Sequence, residues 1–97
     1  MGTPELLTLL RAALPELRSR FGVSALILFG SFARDQARED SDVDLLAEFA
    51  APASLFTLAR LQARLEELTG RRVDLGTPDT LRPAARDAVL AEARRVA

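Results

Sequence analysis

Apolar residues along this chain fall into two spacings, one helical and one extended, and their alternation predicts the order αβαβαβα. Leu6, Leu7, Leu10, Ala13, Leu14 and Leu17 recur every three or four positions, the mark of one buried helical face. Thr3-Pro4-Glu5 predicts the start of that helix, with a capping hydroxyl, a proline at the first helical position and an acid in the first turn. Pro15 lacks an amide donor and crowds the preceding turn, so a kink or a junction of two helices is expected near Leu14, and Phe21-Gly22 ends the element. The apolar runs Ala25 to Phe29 and Val43 to Phe49 read as buried strands.

Farther on, Pro52 marks a turn and Ser54 caps a second long helix. Leu55, Leu58, Leu61, Leu65 and Leu68 form its single apolar stripe, and Gly70 closes it. A third strand, Arg72 to Leu75, follows that helix, which predicts a crossover placing it parallel to Val43 to Phe49, while the first two strands pair antiparallel. Thr77-Pro78-Asp79 reads as a turn, and Pro83 opens a last helix to about Arg95 with Ala85, Ala88, Val89 and Val96 on its apolar side. The expected fold is therefore α/β, one domain over residues 1–97, with a small mixed sheet of about three strands and helices packed mainly on one side.

The chemistry gathers between the first two strands. Gly30 and Ser31 stand where the first strand ends; glycine there frees the backbone and admits a ligand closely, while the serine hydroxyl can cap a short helix through Arg34. Amides at such a turn can meet an anion. After ten more residues come Asp42 and Asp44, whose carboxylates share a face because strand side chains alternate. Taken singly, Gly-Ser after a strand is most often a turn, and Asp-x-Asp a solvated edge. Together, four such residues at fixed spacing arise by chance in a chain this long about once in a thousand. Asp74 interrupts an apolar strand where an acid is costly unless paired, hydrogen-bonded or on metal, and beside Asp42 and Asp44 it can complete an ion cage. Arg34 and Arg38 are expected to be solvated or paired with Asp35, Glu39 and Asp40, with a phosphate contact open to Arg34.

Composition removes most other chemistries. There is no His, Cys, Tyr, Trp or Lys, and all thirteen basic residues are Arg. That excludes a Ser-His triad, a thiolate nucleophile, a Schiff-base or P-loop lysine, and a Cys/His zinc site. Carboxylates suit hard ions such as magnesium, held jointly with a substrate's phosphates. A net charge of -1 offers no basic footprint for nucleic acid, so direct nucleic-acid binding is not expected. No apolar run reaches eighteen residues and the start lacks the pattern of a signal peptide, so neither export nor a membrane is expected; the absence of Cys fits the cytoplasm.

Gly30-Ser31, ten residues, then Asp42-x-Asp44 resembles the signature of the polymerase-beta-like nucleotidyltransferase superfamily. LFGSFAR at 28–34, SDVDLL at 41–46, SLFTLARLQARLEEL at 54–68 and VDLGTPDTLRP at 73–83 are similar to one branch, the minimal nucleotidyltransferases that act as antitoxins beside a HEPN-domain ribonuclease toxin. The resemblance implies an ATP- and Mg2+-dependent, two-ion nucleotidyl transfer. Asp42, Asp44 and Asp74 would be the catalytic and metal residues, and Gly30, Ser31 and Arg34 would meet the nucleotide. It also implies a hetero-oligomer with the toxin and AMPylation of a toxin tyrosine; this chain has no tyrosine of its own to modify. Where the family usually has glycine after the motif arginine, this chain has Asp35, which would weaken triphosphate binding if it pointed inward. Two further readings stay open: an antitoxin that neutralises by contact alone, and a transferase acting on a small hydroxylated molecule.

Overall fold

A computed structural model describes residues 1–80 and 83–96. Helix α1 (Thr3–Phe21) leads into β1 (Val23–Phe29), a single-turn helix α2 (Gly30–Ala33), and β2 (Val43–Phe49). Then follow α3 (Leu55–Thr69), β3 (Val73–Gly76), a 3-10 turn at Pro78–Thr80, α4 (Pro83–Glu92) and β4 (Arg94–Arg95). The sheet order is β3-β2-β1-β4, with β1 antiparallel to β2 and β3 parallel to β2. The mixed α/β architecture and both expected strand pairings are present.

Pattern becomes packing directly in α1: Leu6, Leu10 and Leu17 are fully buried, and Leu7, Ala13 and Leu14 nearly so. They meet Val23, Leu26 and Leu28 of β1, Val43, Leu45 and Ala47 of β2, Leu61 and Leu65 of α3, and Val73 of β3 in one core. Helices α1 and α3 are also joined by a two-pronged ion pair, Arg64 Nε to Glu16 Oε2 at 2.6 Å and Nη2 to Oε1 at 2.9 Å. Alternation then puts Asp44 and Asp74 on the sheet face opposite that core, because Val43, Leu45 and Val73 take the core face.

Five expectations need correction. In place of a junction of two helices, one helix runs from Thr3 to Phe21 with Pro15 inside it, because the leucines on both sides of the proline bury against the same core. Its cap residue is Gly2, without a side-chain cap; the Thr3 hydroxyl instead donates to the Phe32 carbonyl at 2.6 Å, a buried bond between α1 and α2. Likewise α2 begins at Gly30 after Phe29, so Ser31 lies within the turn rather than capping it. Leu55 is 83 % exposed and does not join the stripe of α3, whose buried leucines are Leu61 and Leu65, with Leu68 packed partly against them. Finally, the last helix stops at Glu92, and Arg94–Arg95 adds a fourth strand antiparallel to β1, anchored by the buried Val96, whose amide donates to the Leu26 carbonyl at 2.8 Å. Exposed arginines on so short an edge strand discourage further pairing. The expected apolar roles of Ala85 and Ala88 lie outside the described side chains.

Caps elsewhere follow the sequence. Ser54 accepts from the Thr57 amide at 3.2 Å, and Gly22 and Gly70 close α1 and α3 in the left-handed region. Among the described residues, no helix is long and apolar enough to cross a membrane.

Candidate active site

The sheet register builds the site. Phe29, the last residue of β1, pairs with Asp44, and Asp44 pairs with Asp74 across the parallel β2-β3 contact. The chain must therefore turn beside Asp44 as it leaves β1. Gly30 makes that turn with φ +72°, and a Cβ at this position would collide with the Asp44 carboxylate. Glycine is required here twice over, by backbone conformation and by space. Asp42 lies just before β2 and is exposed; Asp44 is half-buried, and Asp74 is exposed at the sheet edge. The predicted acids thus share one end of the sheet, with Gly30 packed against Asp44.

Its electrostatics follow from that packing. Burial raises the Asp44 carboxyl above its ordinary value, and the neighbouring carboxylates of Asp74 and Asp42 raise it further, against a smaller pull from Arg34. These acids therefore feel one another. Among the described residues, no three acids are drawn around a common point as a preformed metal cage. Their oxygen donors are of the kind that hold magnesium, so the residues fit such an ion chemically.

Arg34 is found on the same side of the molecule as Asp44, but its partner is not one of the acids expected. Its Nη1 pairs with Glu92 of α4 at 3.0 Å and its Nε donates to Gln36 Oε1 at 3.3 Å. Both ends of that ion pair are substantially exposed, so it is readily exchanged for another anion. Asp35 has φ +60°, the one non-glycine residue with positive φ among those described, and its side chain is exposed. Glycine adopts this backbone freely, so a glycine at this position would have a conformational reason.

Three supporting residues escaped the sequence reading. Arg71, just before β3, sends one nitrogen into a group of backbone carbonyls: Nη1 lies 3.1 Å from Arg38 O, 2.9 Å from Glu39 O and 3.2 Å from Ser41 O. Its guanidinium also lies 5.1 Å from the centre of the Phe32 ring. Thr3 holds the Phe32 carbonyl, and Arg94 Nε holds the Ala33 carbonyl at 2.9 Å, so α2 is tied from both ends of the chain. The only sequence signal was the Arg71-Arg72 pair ahead of Asp74; no local pattern connects it to residues 38–41.

The chain matches the family described as Nucleotidyltransferase domain over residues 10–96. It belongs to that family. This nucleotidyltransferase is 43% identical over 88 residues to the protein adenylyltransferase MntA of Thermococcus cleftensis, covering 91% of this chain and 89% of the relative. A solved structure described as a candidate minimal nucleotidyltransferase superposes with a TM-score of 0.81 and 44% identity, covering 97% of this chain and 95% of that one. The fold also matches a tri-AMPylated Shewanella oneidensis HEPN toxin in complex with MNT antitoxin, with a TM-score of 0.67 and 16% identity over 94% of this chain and 71% of that one. At that identity the likeness concerns the fold.

Proposed function

We propose that this nucleotidyltransferase is an antitoxin that transfers AMP from ATP to a hydroxyl, a tyrosine, of a cognate HEPN ribonuclease toxin and so silences it. The observation that carries the proposal is the Asp44-Asp74 register beneath Gly30, reinforced by likeness to a protein adenylyltransferase along nearly the whole chain. The reading gives each residue a task. Gly30 brings the backbone of α2 close to the acids without a side chain in the way, leaving the Ser31 hydroxyl and nearby amides for the terminal phosphates. Asp42, Asp44 and Asp74 would hold Mg2+, as two ions. Ions held there would supply neutralisation of phosphate charge and a lowered pKa for the hydroxyl that attacks the α-phosphorus, with pyrophosphate as the leaving group. Arg34 would leave Glu92 for a phosphate oxygen, a change between two exposed anionic partners. With no His or Lys in the chain, the attacking hydroxyl's proton has no imidazole or amine to receive it, so the carboxylates are this chain's candidate acceptors.

The test is transfer of label from α-labelled ATP with magnesium, using this protein and the partner that co-purifies with it. Label on the partner that disappears with Asp42→Asn and Asp44→Asn combined is the expected result. A partner bound and silenced without label would establish neutralisation by contact. Label on a small hydroxylated compound instead of the partner would establish the other class of transferase.

A further inference from the structure

We infer that Arg71 is a positioning residue that fixes the Asp42 arm of the site against β3 and α2, an inference that rests on the metal-dependent reading of Asp42 above. The site is assembled from three separate segments: the Gly30-Ser31 turn, the loop that delivers Asp42, and the strand that carries Asp74. Arg71 links all three. It stands two residues before β3 in the chain, lies over the ring of Phe32 in the helix that Gly30 and Ser31 open, and donates to the carbonyls of Arg38, Glu39 and Ser41. Residues 36–42 carry no helix or strand, so their backbone acceptors depend on contacts of this kind. The loop has two clasps of its own just before Asp42, the Arg38 amide donating to Ser41 Oγ at 2.7 Å and the Ser41 amide donating to the Arg38 carbonyl at 3.1 Å. Arg71 grips the same short stretch from outside, and β2 is held in step by the Val43 amide donating to the Arg72 carbonyl at 2.9 Å. The Arg71 Nη1 is held by three carbonyls, and the positive charge sits against their dipoles. The task this geometry supports is holding a carboxylate in place, and such supporting groups typically account for 10–100-fold in metal affinity or activity.

The test uses the full chain with its co-purifying partner, with Mn2+ alone as the probe. Free Mn2+ is followed by electron paramagnetic resonance, and amide hydrogen exchange is followed across residues 38–42 without metal. Arg71→Met should weaken Mn2+ binding about 10-fold and speed exchange in that stretch, while the KM for ATP stays within about twofold. Arg71→Lys, which keeps the charge on a shorter arm, should recover part of the loss. Ser41→Ala removes the hydroxyl clasp on the Arg38 amide and should move both readouts in the same direction, whether or not Arg71→Met folds well. Faster exchange with unchanged Mn2+ affinity would overturn the inference, as would no change in either. A wild-type protein that neither binds Mn2+ nor transfers label would overturn the metal-dependent reading itself, a result distinct from a wild type that does both while Arg71→Met matches it.

Discussion

At the end of the sheet where β1 runs into Gly30, side chains from distant segments tie a small region down: Thr3 to the Phe32 carbonyl, Arg94 to Ala33, Arg71 to the loop before Asp42. At the other end, where β2 gives way to Ala50, a cleft of about 610 Å3 is lined by Ser24, Glu48, Phe49, Leu58, Thr77 and Asp79, among others. Beside it, Leu55 and Phe56 at the start of α3 are 83 % and 82 % exposed. The two ends are separated by the length of β2 from Asp44 to Phe49, about 17 Å at the usual rise of a strand. This cleft is therefore not where the acids are. In this fold concavity and reactive groups have different origins: the cleft lies where residues 50–53, α3 and residues 77–79 meet the ends of β1 and β2, whereas the acids come from strand register and alternation. Backbone ties and apolar exposure divide the same way, with precision at the end that holds Asp44 and spare surface at the end that does not.

Replacing Asp44 with Asn should separate the ends most strongly. Transfer is expected to fall by at least about 10^3-fold, since the position contributes to charge that forms only in the reacting complex. Stability without metal should move the other way. The folded protein holds the Asp44 proton more tightly than the unfolded chain does, so ionising Asp44 above its ordinary value of 3.8 makes the folded state progressively less stable until the raised value is passed. At pH 7 the metal-free variant should consequently be at least as stable as wild type, with the difference vanishing in acid. Glu16 gives the opposite sign: its hydrogen bond from Arg64 lowers its pKa below the ordinary 4.5, so its contribution is present above that value and is lost as pH falls. Urea unfolding between pH 3 and 7 checks both slopes. A metal-free Asp44→Asn protein less stable than wild type at pH 7 would show that the acids hold the fold together rather than strain it.

Next in size is Gly30→Ala. The added Cβ meets the Asp44 carboxylate, and the positive φ adds strain, so about 2–4 kcal/mol of stability should be lost together with transfer. Gly22→Ala and Gly70→Ala share the left-handed backbone but have nothing within 4 Å of the added atom, so each should lose only about 1 kcal/mol and keep transfer. Equal losses at all three positions would mean that backbone conformation alone accounts for Gly30.

These contrasts show which parts of the molecule could be read along the chain. Strands carrying Asp44 and Asp74 were legible because a period of two and a crossover helix determine face and direction, and the Gly-Ser and Asp-x-Asp spacing is a property of the chain itself. What escaped is long-range. The Thr3 hydroxyl has the composition of a cap and is drawn instead to a carbonyl 29 residues away. Arg34 passes over nearby acids for Glu92, 58 residues on. The segment around Arg94 has no apolar alternation, and it forms a strand because Val96 is buried and its amide finds Leu26. Leu55 matches a helical stripe by spacing, yet that stripe extends beyond the core it faces.

A smaller effect is expected at Asp35. Its φ of +60° is tolerated by Asp better than by most residues but costs nothing to Gly. Asp35→Gly should gain strain relief and lose some through the greater freedom of the unfolded chain, for a net gain of at most about 1 kcal/mol. Because the side chain is exposed, label transfer should stay within about twofold of wild type. A rise in transfer beyond that, with the KM for ATP falling, would show that the Asp35 charge and not its backbone is what matters to the nucleotide.

The smallest effect on the fold belongs to the far end. Leu55→Ser with Phe56→Ser removes two large side chains that face water, so stability should change by no more than about 0.5 kcal/mol. By contrast, Leu61→Ala or Leu65→Ala, in the same helix and fully buried, should lose about 2–5 kcal/mol. Thermal unfolding of the four-position set measures how far the stripe of α3 is used by the core. If the Leu55 and Phe56 pair costs as much as Leu61, the first turn of α3 packs on this domain in solution and the two ends are less different than their exposure indicates. If it costs nothing, transfer to free acceptor should likewise be untouched, since the acids lie at the opposite end of β2. Any loss confined to capture of the co-purifying partner would then assign this apolar pair to binding and leave the chemistry to the other end.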